Sequence, residues 1–221
     1  MAKRSKSKKH VVFLDFDNTI TSYDVFDNIL ENFAEDQGWL KLEKRWKKGE
    51  IGSRECLAGQ MECVRVARRI LDRYLDKVKI DPYSKRLLEL LRDHNIKTFI
   101  LSDNFDYILK RVLSSKGIPP PPIYSNRLKI SEDKLIPHFP FTNRRCADCA
   151  HCKTNNLVAK AGKDATIVYV GDGRSDTCPS EHADVVFAKE YLEEHCRKKR
   201  INYIPFEGLK DVYDYFKNIY N

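Results

Sequence analysis

The run Val11-Val12-Phe13-Leu14-Asp15-Phe16-Asp17-Asn18-Thr19 constrains the fold of this chain more than any other stretch. Four successive apolar residues that run into turn formers read as a buried strand. That strand ends in two carboxylates separated by one Phe. A buried carboxylate without a partner is costly, so Asp15 and Asp17 demand a reason to be there.

The pattern beyond this strand supplies an architecture. Residues 23–80 carry apolar residues at helical spacing (Val25, Ile29, Leu30 and Phe33, then Trp39, Leu42 and Trp46), broken by Gly49 and Gly52. Further helical runs follow near Cys56–Cys63 and Val66–Val78, and no strong strand interrupts them. Asp81-Pro82 reads as a helix start, with Asp as the cap and Pro in the first turn. A second β-rich run, Lys97 to Asn104, ends in Ser102-Asp103-Asn104, and a third, Ala165 to Val170, ends in Gly171-Asp172-Gly173-Arg174-Ser175-Asp176. Helices are predicted over 105–116, 155–162, 189–199 and 208–219, with short strands in 123–142 and weaker ones at Val185–Phe187 and Tyr203-Ile204. Strands that alternate with helices predict an α/β fold with a Rossmann-like parallel sheet core. The expected division is a basic tail over 1–10, a core formed by 11–22 and 81–221, and an inserted helical block over 23–80.

Composition narrows the function classes. The chain has 221 residues, 42% apolar and 33% charged, the profile of a soluble globular protein. Its longest apolar run falls short of a membrane span, and no h-region follows the basic N-terminus, so a cytoplasmic location and no membrane partner are expected. Five of the eight net positive charges sit at Lys3, Arg4, Lys6, Lys8 and Lys9. That placement reads as a solvated tail rather than a nucleic-acid surface.

In parallel α/β sheets ligands bind beyond the carboxyl ends of the strands. Three predicted strands end there in reactive groups: Asp15 and Asp17, Ser102, and Asp172 with Asp176. Clustered carboxylates repel, and hard oxygen ligands favour Mg²⁺, which in turn implies a phosphate-bearing substrate.

These residues together resemble the four motifs of the haloacid dehalogenase superfamily of phosphatases: D-F-D-N-T, Ser102, Lys153 and G-D-G-R-S-D. The helical block resembles the cap of the phosphoserine-phosphatase-like branch. The resemblance implies a phosphoric monoester hydrolase acting on a small phosphorylated metabolite. It implies Asp15 as the nucleophile that becomes an aspartyl-phosphate, and Asp17 as general acid and then base. It implies Mg²⁺ held by the Asp15 carboxylate, the Asp17 backbone carbonyl and Asp172, with Asp176 behind them. Thr19, Ser102 and Lys153 become the phosphate cradle, with Lys160 and Lys163 as alternatives to Lys153. An Asp at the second motif position separates phosphatases from the ATPases of the superfamily, which carry Thr there.

Asp24 lies nine residues after Asp15, where phosphoserine-specific members carry a Glu that meets the substrate amine. It is expected either to set substrate specificity or to cap the following helix. Phe26, Asp27, Trp39 and Trp46 read as core or surface of the block. The run Cys146-x-x-Cys149-x-x-Cys152 has zinc or redox spacing, with His151, His138 or Cys178 available as a fourth ligand, and free thiols are the alternative. A Cys-rich segment before the lysine also resembles both the methionine-salvage phosphatases and the phosphocholine/phosphoethanolamine phosphatases. Two further readings stand beside hydrolysis: phosphoryl transfer to an alcohol, and a binding protein that uses the basic tail and zinc-binding cysteines.

Overall fold

Strand β1 (His10–Leu14) occupies the middle of a seven-stranded sheet in a computed structural model that describes residues 9–143 and 149–220. Its neighbours are β2 (Lys97–Phe105) and β5 (Thr166–Gly171), both parallel to it. Beyond β2 lies β3 (Ile123–Ser131), parallel, and then β4 (Lys134–His138), which turns back antiparallel. Beyond β5 lie β6 (Val185–Ala188) and β7 (Ile204–Pro205). A central parallel strand is covered on both faces, which explains the unbroken apolar run. Val12 and Leu14 pack into the larger core, while Val11 and Phe13 pack into the smaller one.

Helices α5 (Ser84–Asp93), α6 (Asp106–Ser115) and α10 (Leu209–Tyr220) supply apolar residues to the larger core. Helix α7 (Lys153–Ala161) covers the smaller one through Leu157 and Ala161. The short α8 (Thr177–Ser180) follows the loop after β5, and α9 (Glu190–Lys199) follows β6.

Residues 25–75 form α1 (Val25–Phe33), α2 (Gly38–Lys47), α3 (Ser53–Glu62) and α4 (Arg68–Leu75). The chain enters and leaves this block side by side: Thr21 bridges Ile80, and the Ser22 amide donates to the Lys79 carbonyl at 3.1 Å. Val25, Ile29, Leu30, Met61, Leu71 and Leu75 belong to the same buried cluster as the sheet, so the block has no separate core. Polar contacts clamp its last helix to α6. Arg111 grips Asp76 through two hydrogen bonds of 2.7 and 2.6 Å, and the Tyr107 hydroxyl donates to Asp72.

The helix expected from Asp81-Pro82 begins later, at Ser84. Asp81 instead closes a turn, accepting the Tyr83 amide at 2.8 Å, while its other oxygen accepts the Leu209 amide at 3.1 Å. One carboxylate thus serves two distant segments, and a local capping rule could not anticipate the second.

Among the described residues, no helix is long and apolar enough to cross a membrane. The tail residues Lys3, Arg4, Lys6 and Lys8, and Cys146, lie outside the described residues.

Candidate active site

Asp15 leaves β1 with its amide still bonded to the Val170 carbonyl of β5, at 2.9 Å. The chain then folds tightly around the Phe16 carbonyl, which accepts the amides of Ile20 and Thr21 at 2.9 and 3.0 Å. Asn18 takes a left-handed conformation (φ 50°), which Asn tolerates better than most residues. Phe16 is buried below the turn, so Asp15 and Asp17 are left on the cavity side, where both line the wall.

A chain of charges lies at the floor. The Lys153 ammonium, 2% exposed, sits 2.6 Å from Asp15 Oδ1 and 2.7 Å from Asp176 Oδ1. Asp176 is fully buried and saturated: the Tyr169 hydroxyl donates to Oδ1 at 2.6 Å, and the amides of Asp172 and Gly173 donate to Oδ2 at 3.1 and 2.9 Å. Gly171 is required for this packing, because a Cβ there would come within 2.6 Å of the Asp176 carboxylate. Gly173 has an extended backbone and room for a Cβ.

Asp172 accepts the Thr19 hydroxyl at 3.1 Å and the Asn18 amide nitrogen at 3.0 Å. The same Asn18 nitrogen donates to Glu190 at 2.9 Å. Asp17 turns the other way: its Oδ1 accepts the Val25 amide at 2.9 Å, and Asn104 Nδ2 donates to both its oxygens at 3.1 and 3.0 Å. Ser102 Oγ accepts the Asn104 amide at 3.0 Å, which leaves its hydroxyl proton for another acceptor.

Among the described residues, the group of three or more ligand side chains able to hold a metal is Asp15, Asp172 and Asp176, with oxygens within 4.8 Å of one another. Three carboxylates face one ammonium. Burial opposes the Lys153 charge, but Asp15 and Asp176 outweigh it and hold its pKa well above the usual value. Burial and the Asp176 charge push Asp15 well above the carboxylate range and Asp172 up to about 7. Burial followed by the Asp24 charge raises Asp17. An excess of buried anionic oxygen is the setting that a hard divalent cation relieves, so the donor set fits Mg²⁺.

These groups open into a cavity of about 210 Å³. Its wall includes Asp15, Asp17, Ser102, Lys153 and Asp172 from the sheet side, and Asp24, Phe26, Asp27, Glu43 and Trp46 from the helical block. Phe26, Asp27 and Trp46 therefore reach the site, whereas Trp39 packs on the core. Asp24 lines the cavity and also caps α1, accepting the Asp27 amide at 2.9 Å, so the two expected roles fall on one side chain. Thr19 is absent from the wall, and its hydroxyl is spent on Asp172. Lys160 points elsewhere, over the Tyr124 ring at 5.3 Å.

Cys152, the last residue of the cysteine run, directly precedes Lys153 of the site. Cys152 is buried immediately before α7, and the Asn143 amide donates to its sulfur at 3.9 Å. His151 is buried against Phe141, and burial lowers its pKa to about 3.

Asn104, Tyr169 and Asp103, which also lines the cavity, were missed by sequence reasoning. Asn104 and Asp103 stood in plain view as a polar strand end after Ser102. Tyr169 carried no signal, because a Tyr inside an apolar run reads as core.

A model of the family described as Putative Phosphatase matches residues 10–202. The 2-hydroxy-3-keto-5-methylthiopentenyl-1-phosphate phosphatase of Bacillus thuringiensis subsp. konkukian is 28% identical over 213 residues, covering 94% of this chain and 96% of that protein. The crystal structure of phosphoserine phosphatase from T. onnurineus in complex with NDSB-201 superposes with a TM-score of 0.69 at 19% identity, covering 96% of each chain. A phospho-aspartyl intermediate analogue of phosphoserine phosphatase gives a TM-score of 0.69 at 17% identity, covering 94% of this chain and 99% of that one.

Proposed function

Because this chain belongs to the Putative Phosphatase family and is a phosphatase of the haloacid dehalogenase superfamily, we propose that it hydrolyses a small phosphorylated metabolite through an aspartyl-phosphate on Asp15. The observation that carries the reading is the convergence of Asp15, Asp17, Ser102, Lys153 and Asp172 on one cavity at the carboxyl ends of β1, β2 and β5.

Asp15 attacks phosphorus, and Asp17 protonates the departing alcohol oxygen. Asp17, now a carboxylate, then takes a proton from the water that cleaves the acyl phosphate. Lys153 and the Ser102 hydroxyl donate to the non-bridging phosphate oxygens. Asp15, the Asp17 carbonyl and Asp172 would hold Mg²⁺, which when bound offsets charge between the nucleophile and the phosphate. Asp176 fixes Lys153 and the loop that carries Asp172. Thr19, assigned from the sequence to the phosphate, holds Asp172 instead in this reading, because its hydroxyl proton is already committed there.

The helical block acts as a cap over the strand ends and selects the alcohol, with Asp24 in contact with it. The substrate named for the Bacillus thuringiensis relative is the first candidate. A second reading is a phosphate ester of an amine-bearing alcohol, such as phosphoserine, phosphoethanolamine or phosphocholine, favoured by the acidic wall formed by Asp24, Asp27 and Glu43. The test is hydrolysis of p-nitrophenyl phosphate with and without Mg²⁺, followed by a phosphometabolite panel that includes these compounds. Phosphate release that depends on Mg²⁺ and ranks one class above the rest supports the reading. No release from any ester in the presence of Mg²⁺ refutes it.

A further inference from the structure

We infer that Asn104 is the positioning residue that aims Asp17 for proton transfer, which rests on the acid role proposed for Asp17. Asn104 is 3% exposed, at a place where the pairing of β2 with β3 loses register between Ser102 and Phe105. Its amide has one orientation available. Oδ1 accepts the Phe105 amide at 2.7 Å, so Nδ2 must face Asp17, and a flipped amide would set oxygen against carboxylate. Nδ2 then bridges both Asp17 oxygens.

The donors are distributed unevenly. Asp17 Oδ1 takes the Val25 amide as well as Asn104, whereas Oδ2 takes Asn104 alone. Oδ2 is therefore the oxygen with the freer position for the proton to be transferred. As the Asp15 oxygen bonds to phosphorus, the bond from phosphorus to the alcohol oxygen breaks and its electron pair stays on that oxygen. The oxygen receives the Oδ2 proton, and Asp17 is left as a carboxylate. Asn104 Nδ2 is already in place to stabilise that new charge without reorganisation.

The two supports also differ in origin. Val25 begins the first helix of the helical block, and Asn104 belongs to the sheet. Without Asn104, the Val25 amide of the block is the one donor left to the carboxylate among the described residues. The Asn104 backbone N–H further donates to Ser102 Oγ at 3.0 Å, so one residue fixes the acid relative to the phosphate cradle.

The test exploits leaving groups. The value of kcat/KM covers steps through departure of the alcohol, and p-nitrophenolate departs without protonation whereas an alkoxide does not. Asp17→Asn, Asn104→Ala and Asn104→Asp are compared with wild type on p-nitrophenyl phosphate and on glycerol 2-phosphate, with thermal melts as a folding check. Asn104→Asp retains an acceptor for the Phe105 amide but replaces the donor to Asp17 with an oxygen, and the melts establish that each variant compared is folded. All three are expected to lose at least roughly tenfold more on the alkyl ester than on the aryl one, a part of the 10²–10⁴ that general acid catalysis supplies. If Asp17→Asn discriminates between the esters and a folded Asn104 variant loses equally on both, Asn104 does not aim the acid. If Asp17→Asn itself loses equally on both, the acid role falls, and the role of Asn104 with it.

Discussion

On the floor of the cavity the carboxylates meet donors from the protein itself: Asp176 accepts from Lys153, Tyr169 and two backbone amides, and Asp172 accepts from Thr19 and Asn18. On the roof, Asp24, Asp27 and Glu43 crowd the same space with less relief. Glu43 pairs with Lys47, yet burial and the charges of Asp24 and Glu43 still push Asp27 up to about 7. The floor carboxylates are fixed in place by donors of the protein, with an anionic excess left over for a cation, whereas the roof carboxylates have fewer such donors. Fixed donors suit a step that recurs unchanged for every substrate, since preorganisation avoids reorganisation at the moment of reaction. A roof with unmet negative charge suits the part of the site that distinguishes one alcohol from another.

The sharpest way to break this division is at the floor. Asp15→Asn keeps the shape of the proposed nucleophile but removes its charge, and kcat is expected to fall by roughly 10³ or more with the fold retained. Steady-state rates together with a far-UV spectrum check both halves. Lys153→Met comes next. It leaves Asp15 and Asp176 without their shared cation, and stripping one partner from a buried ion network costs about 3–5 kcal/mol. A melting temperature lowered by several degrees and a raised KM for phosphate esters are expected, and added Mg²⁺ should restore part of the stability by binding the freed carboxylates.

Much of the floor was visible in the sequence. Unbroken apolar runs marked β1 and β5, and the carboxylates at their ends stood where a parallel sheet presents ligands. The donors that hold those carboxylates were not visible. Asn104 meets Asp17 across 87 positions, and the hydroxyl of Tyr169 matters only because the loop after β5 returns Asp176 beneath it. The hydrogen bond from Thr19 to Asp172 spans 153 positions, so the motif around Asp15 did not show it. Periodicity and motifs report local conformation and strand-end chemistry. Which hydroxyl serves which carboxylate is settled by packing between elements, and local sequence does not encode it.

Roof substitutions should give smaller and more selective effects. Asp24→Ala is expected to lower kcat/KM for the best natural ester roughly tenfold more than for p-nitrophenyl phosphate, which offers nothing for the carboxylate to hold. Equal losses would make Asp24 only the cap of α1, where it accepts the Asp27 amide. The smallest effect is a stability change at Asp27. Its folded pKa of about 7 lies above the ordinary 3.8, so the folded state keeps a proton that the unfolded state releases. Stability is therefore lost as pH rises between those values. Asp27→Asn should raise the melting temperature by about 2 °C at pH 8 and hardly at all at pH 4. The same gain at both pH values would mean that charge crowding on the roof is not the cause.

The covalent step on Asp15 is the claim on which both halves of the comparison depend, and acid quenching addresses it most directly. Enzyme mixed with Mg²⁺ and a good substrate, then quenched in acid within the first turnovers, should carry a phosphoryl group that survives acid and is released by alkali. Mass spectrometry of the digested protein should place that group on the peptide containing Asp15, and Asp15→Asn should carry none. Phosphate found on another residue, or turnover with no phosphorylated protein and no burst of released alcohol, would contradict the account.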